Sequence, residues 1–178
     1  MSAIHPDDIN ARRLAGTLAV DRPRPLDPKT GDGTLTLSNS GVTAFDFSGG
    51  LGINAGTLAN NLNSGGLLTV GSGAVTFANG TTYQSGNNAL ANAVVLTSGT
   101  VNHTVSGNNG LSGEIRGTVT GSGGIASVVN GTGTNFQGLA FSGTGNSFSG
   151  GISLTLLGSN VSGGIRAVTT SALGTGLV

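Results

Sequence analysis

From Gly33 onward the chain alternates short apolar runs with clusters of Gly, Ser, Thr and Asn. The runs that read as strands are Thr34–Leu37, Val42–Phe47, Gly56–Leu62, Leu67–Val70, Ala74–Ala78 and Ala93–Thr97. Six more follow at Thr100–Val105, Gly117–Thr120, Ile125–Val129, Gly138–Phe141, Ile152–Leu157 and Gly164–Val168. Most are flanked on both sides by turn-forming residues. In the first run Leu35 and Leu37 alternate with Thr34 and Thr36, which gives one apolar and one polar face. Phe45 and Phe47 share a side in the same way, with Asp46 opposite. No window sustains an apolar period of 3.6, and each glycine inside a candidate helix costs about 1 kcal/mol. The pattern predicts an all-β region over Gly33–Val178.

Such strands can be paired by hairpins or wound into coils. A sandwich or barrel needs partners about 8–12 residues apart, and that spacing is available. Aromatic residues make up only 4% of the chain, however, which is little to fill a two-sheet interior. A narrow solenoid core is filled by stacked Leu, Ile, Val and Ala. Coils of roughly 18–25 residues give about six to eight turns, a stack ~30–40 Å long at ~4.8 Å per strand. Repeated Leu, Ile, Val and Phe in alternation argue against a disordered Gly/Ser tract. The expected core is Leu35, Leu37, Leu67, Val75, Phe77, Val94, Leu96, Ile125, Val128, Phe141, Ile152, Leu154 and Ile165.

Residues before Gly33 obey different rules. Pro6, Pro23, Pro25 and Pro28 are the four prolines of the chain, and all precede it. Ten of the fourteen formal charges also lie there; beyond it stand only Asp46, Glu114, Arg116 and Arg166. Met1–Asp32 is therefore expected to be a short irregular tail and Pro-rich linker, and Gly33–Val178 the repeat region. Asp7 or Asp8 can cap a short helix in residues 7–20, with Gly16 stopping it early. Prolines keep 21–33 extended, with Arg22 and Arg24 solvated. The opening MSAIHPDDINARRLAG has no apolar core, so it is not a secretory signal; it reads as the start of a fragment with an added Met. No run reaches the ~20 apolar residues of a spanning helix, and no direct membrane insertion is expected.

Candidate chemistry is sparse. Seven basic and seven acidic side chains give no electrostatic footprint for nucleic acid. Without cysteine there is no disulfide framework and no thiolate metal site. Carbohydrate-active β-helices need clustered carboxylates, and the repeat region offers Asp46 and Glu114 alone. Both are expected on outward faces, Glu114 paired with Arg116 two positions along its strand. GSGG (121–124) and SGG (149–151) lack the aspartates of calcium-binding repeats. His5 and His103 are too few for zinc; His103 shares a face with Val101 and Val105 and reads as a satisfied or rim histidine. Gly71–Gly73 and Gly131–Gly133 are turns, lacking the helix and Lys of a phosphate loop. No catalytic, cofactor or metal site is expected. Tyr83 is the single Tyr and there is no Trp, so a stacking platform for sugars is not provided. Asn79, Asn102, Asn130 and Asn160 begin Asn-x-Ser/Thr triplets, which chance supplies in such a composition. Asparagines in the turns are expected to stack between coils and satisfy buried amides.

LANAVVL (90–96), with TSGTVNHTVSGNNGLSGEIRGTVTGSGGI after it, resembles the autotransporter-associated β-strand repeat of bacterial surface proteins. FSGTGNSFSGGISL (141–154) is similar to that family's strand, G-x-N-x-x-S-G-G turn and following strand. SALGTGLV (171–178) looks like the small-residue turn that opens a next strand. The resemblance implies a right-handed parallel β-helix inside a secreted passenger, at the cell surface or outside the cell after outer-membrane export. Such passengers serve as adhesins, as stalks or as carriers of a separate active domain. The expected role is thus a structural or adhesive stalk segment, not an enzyme, with a host-surface or glycan ligand as possible partner. An unpaired last coil in Ser171–Val178 is expected to promote end-to-end self-association. The rival readings are a piece of a carbohydrate-active β-helix lyase or hydrolase, and a β-sandwich carbohydrate-binding module.

Overall fold

A computed structural model of the chain describes residues 27–39, 44–45, 49–62, 66–86, 88–105, 112–130, 137–157 and 163–176. The helix expected in 7–20, most of the Pro-rich linker, His5, Asp46 and Asn160 lie outside the described residues. Within them the chain is all-β. The first coils comprise β1 (Thr34–Asn39), β2 (Ala44–Phe45), β3 (Leu51–Ile53), β4 (Thr57–Leu62) and β5 (Leu67–Val70). They continue through β6 (Val75–Phe77), β7 (Thr82–Ser85), β8 (Ala89–Leu90), β9 (Val94–Leu96), β10 (Thr100–Val105) and β11 (Ser112–Ile115). The last are β12 (Val119–Gly121), β13 (Gly124–Asn130), β14 (Gln137–Phe141), β15 (Ile152–Leu157) and β16 (Gly163–Ala167).

From β1 to β14 strands three apart are neighbours, and the last pairs, β13–β15 and β14–β16, are two apart. One sheet runs β1-β4-β7-β10-β13-β15, a second β16-β14-β11-β8-β5-β2, and a third β12-β9-β6-β3. All named pairings are parallel. The chain is therefore a three-sided parallel β-solenoid, and hairpin pairing of the sandwich kind is absent from the described residues. Partner residues are 19 positions apart at Val75 and Val94 and 27 apart at Ile125 and Ile152, the extremes of the set. With coils of that length, four turns carry a strand on all three sides, flanked by β1–β2 before and β15–β16 after. This is fewer than the six to eight turns expected, because the coil at each end of the stack carries strands on two sides only. Lys29 precedes the first full turn but already pairs with Ile53 in parallel. Its ammonium donates to the carbonyl oxygens of Gly31 and, at 2.8 Å, Ala55.

Inward positions form columns because parallel in-register pairing places like positions above one another. On the first sheet Leu35, Leu58, Tyr83, His103, Ser127 and Leu154 make one column. On the second, Leu68, Leu90, Ile115 and Phe141 make another. On the third, Leu51, Val75, Val94 and Val119 are stacked in the same way. These residues, except Leu154, are buried, and the apolar ones form one continuous core. Of the expected core, Leu35, Leu37, Val75, Phe77, Val94, Leu96, Ile125, Phe141 and Ile152 are buried.

Four expected core positions differ. Leu67 is exposed because β5 is phased the other way, with Leu68 and Val70 inward. Val128 is half-buried because β13 turns Ile125, Ser127 and Val129 inward. Leu154 and Ile165 have the inward phase, but β15 and β16 end their sheets and no described strand covers them; Leu154 is 39% exposed and Ile165 half-buried.

The corners need glycine where coils touch through their backbones. A Cβ on Gly150 would lie 2.3 Å from the Gly124 nitrogen, and one on Gly124 would lie 2.4 Å from the Gly150 oxygen. The GSGG and SGG turns are thus backbone-to-backbone contacts between successive coils.

Candidate functional site

Among the described residues two clusters of polar side chains could carry chemistry, and the stacking of coils creates both. The first lies inside the solenoid, where the columns of the first sheet turn polar. Tyr83 and Ser85 enter from β7, His103 from β10, Ser127 from β13 and Asn60 from β4. His103 Nε2 lies 2.7 Å from Ser85 Oγ, and its Nδ1 lies 2.9 Å from Ser127 Oγ. A neutral imidazole has one N–H, so one serine accepts a hydrogen bond and the other donates one. Tyr83 stacks obliquely on His103 with ring centroids 5.8 Å apart, and accepts a 3.4 Å hydrogen bond at its hydroxyl from Asn60 Nδ2. Burial pushes the His103 pKa down to about 3 and raises that of Tyr83 to about 12.

A Ser–His contact of 2.7 Å is the spacing of a nucleophile and its base. Here Ser85 and His103 are 0% and 1% exposed, so no substrate reaches them. The residues on the other side of His103 are a serine and an aromatic ring, and no carboxylate orients the imidazole as in a hydrolytic triad. The adjoining void between Tyr83, His103, Val101 and Leu96 measures about 10 Å³, far below the volume of a ligand pocket. His103 was expected to be satisfied or at the rim; it is satisfied and central. Its two serine partners were not anticipated.

The second cluster is on the surface of the second sheet. Glu114 accepts a 3.0 Å hydrogen bond from Arg116 Nε, the i,i+2 pairing expected from the sequence. Its other oxygen accepts one of 2.5 Å from Ser142 Oγ in the next coil. Desolvation acts to raise the Glu114 pKa, but the hydrogen bonds from Ser142 and Arg116 and the charges of Arg116 and Arg166 outweigh it, leaving the pKa lowered. A general acid needs the opposite shift. Among the described residues no group of three His, Asp or Glu side chains is placed to hold a metal ion.

Turn asparagines are the remaining polar residues with many partners. The Asn92 Oδ1 accepts from the Val70 amide at 2.7 Å, while its Nδ2 faces the carbonyls of Val70, Gly71 and Gly73 at 2.9, 3.2 and 2.8 Å. Asn146 accepts from the Val119 amide at 2.7 Å and donates to the Ala172 carbonyl at the same distance. Asn79 accepts from the Thr100 amide, and Asn102 donates to the Gly80 carbonyl. The expected ladders are realised in modified form: these side chains bond the backbone of the adjacent coil. Phe77, Tyr83, Phe141 and Phe148 are buried, so none of them is a surface platform. No helix among the described residues is long and apolar enough to cross a membrane. Comparisons with protein-family models, curated proteins and solved structures return no match.

Proposed function

We propose that this chain is a structural or adhesive stalk segment of a bacterial surface or secreted protein, without catalysis of its own. The observation that supports it most is how the described polar side chains are used. His103, Ser85, Ser127, Asn92, Asn146, Glu114 and Ser142 each join one coil to another. A stalk needs that: an extended, rigid stack whose outer sides are neutral and hydrated. The resemblance of residues 90–96 and 141–154 to autotransporter-associated repeats supplies the export route, and those residues form the end of β8 with β9, and the β14–turn–β15 passage.

The test is location and contact. In cells that produce the full-length protein, external protease should remove this segment while cytosolic markers survive, and a strain lacking it should lose attachment to a glycan- or matrix-coated surface. Protein confined to the cytosol would overturn the reading. So would turnover of a pectin or glycan panel by the purified chain that is lost in Glu114→Gln.

A further inference from the structure

We propose that Asn79–Gly80 is a latent covalent modification site: the stacked coil holds off its deamidation, and once isoaspartate forms there the corner cannot close again. The proposal goes beyond the stalk reading and stands without it. In an asparagine–glycine pair the backbone attacks the preceding side chain with least hindrance, because glycine has no Cβ to crowd its nitrogen. The sequence holds three such pairs, beginning at Asn79, Asn109 and Asn130, and in the first both residues are described. Asn79 and Gly80 are exposed in the turn between β6 and β7. Gly80 has φ 76°, and a Cβ on it would meet nothing.

Both reacting groups are nonetheless pinned to one residue of the next coil. The Thr100 amide donates to Asn79 Oδ1 at 2.8 Å, and the Gly80 amide donates to the Thr100 carbonyl at 2.8 Å. Asn102 holds the rest of the turn: its Nδ2 donates to the Gly80 carbonyl at 3.3 Å and its backbone amide to the Thr81 carbonyl at 2.8 Å. Gly99 leaves room for this seat, since a Cβ there would overlap Asn79 Oδ1 and Cγ.

The reaction needs a different arrangement. The Gly80 nitrogen gives its proton to solvent base and bonds to Asn79 Cγ, while Nδ2 takes a proton from water and leaves as ammonia. The product is a five-membered succinimide, which water opens at either carbonyl to give aspartate or isoaspartate. Amide and water are consumed, carboxylate and ammonia are formed, and no oxidant or reductant takes part. In the stacked corner the Gly80 proton is bonded to the Thr100 carbonyl, and turning the peptide onto Cγ breaks that bond. Reaction is thus confined to the moments when the corner opens. Isoaspartate adds one carbon to the backbone at position 79, which carries Gly80 out of register with Thr100. A transient opening becomes a permanent one.

The experiment follows Asn79 by peptide mass spectrometry in the 178-residue chain, incubated at mildly alkaline pH in native buffer and in urea that unfolds it. Deamidation at Asn79 should be slower in native buffer by roughly tenfold or more, because it tracks the population of the open corner. The product should contain isoaspartate, the mark of the succinimide route. Gly99→Ala, whose methyl displaces the Asn79 side chain, should raise the native rate toward the unfolded one while the β-sheet circular dichroism spectrum is kept. Hydrogen exchange on the unsubstituted chain gives a readout that does not depend on that variant folding. The Gly80 and Thr100 amides should be protected before ageing and should lose protection together in the isoaspartyl fraction. Equal Asn79 rates in native buffer and in urea would overturn the proposal. So would an isoaspartyl fraction in which both amides stay protected.

Discussion

At the residue scale, His103 sits where a proton is costly to accept. Its folded pKa of about 3 lies below the unfolded value near 6.5, and the cause is burial among neutral groups. Between those values the unfolded chain binds more protons than the folded one, so stability rises with pH. The contribution is complete above pH ~6.5 and is lost progressively as the pH falls toward 3. Glu114 has a lowered pKa and adds its own loss, but only below the usual carboxylate range. Among the described residues, His103 is the group whose shift spans pH 6.5 to 5, so melting temperatures across that interval, compared with those of a His103 variant, report on it. The native chain should lose stability across this interval by on the order of 1–2 kcal/mol. In His103→Gln the slope should be largely abolished, while absolute stability at pH 7.5 falls through the changed serine contacts. A slope unchanged by the substitution would mean that another group controls the acid response. Sequence reasoning could place His103 on an inward face from its alternation with Val101 and Val105. It could not supply Ser85 and Ser127, which lie 18 and 24 positions away and are matched to it only by the lengths of the corner loops.

The elements divide by how clearly their alternation speaks. Leu67–Val70, Thr100–Val105 and Ile152–Leu157 fall where the apolar pattern puts them. Thr82–Ser85 is a strand that hydrophobicity alone does not mark, because its inward residues are Tyr83 and Ser85. In Ser112–Ile115 and Leu51–Ile53 a glycine interrupts the alternation, and Leu67 faces outward, not inward as expected, because two adjacent leucines leave the phase open. Register with the neighbouring coil settles such cases, and one strand's sequence does not contain it. What ties the elements together at their corners is equally non-local. Asn92→Ala should strand the Val70 amide and the carbonyls of Gly71 and Gly73 in a buried turn, costing about 1–3 kcal/mol in urea unfolding. An Asn92→Ala chain as stable as the native one would show that water replaces the amide without loss. Gly150→Ala tests the glycine corner. Its methyl would meet the backbone of Gly123 and Gly124, which cannot rotate away as a side chain would. We expect a larger loss there than for Gly145→Ala, where a Cβ has open space and only the left-handed backbone, φ 71°, opposes it. Equal effects at the two sites would show that the coil contact is looser than its geometry.

Across the whole molecule, each coil touches chiefly the coils before and after it, so stability is close to a sum of coil and interface terms. Removing one complete coil should then shorten the stack and leave its logic intact. Residues 75–93 form such a unit, since Val75 is in register both with Leu51 before it and with Val94 after it. Their deletion brings Val94 opposite Leu51. On the first sheet it brings Asn102 opposite Thr57, because both of these pair with Thr82. Inward residues remain inward: Leu58 would face His103 in the column that Tyr83 now separates. The shortened chain should keep a β-sheet circular dichroism spectrum and unfold cooperatively, at lower denaturant than the native chain because Phe77, Tyr83 and Leu90 leave the core. Deleting 75–85 alone removes β6 and β7 but keeps β8, so two sheets lose a strand while the third does not. That variant loses fewer residues yet breaks the threefold order of pairing, and it should fail to fold cooperatively. If the two deletions unfold at the same denaturant concentration with the same steepness, the coil is not the unit of stability.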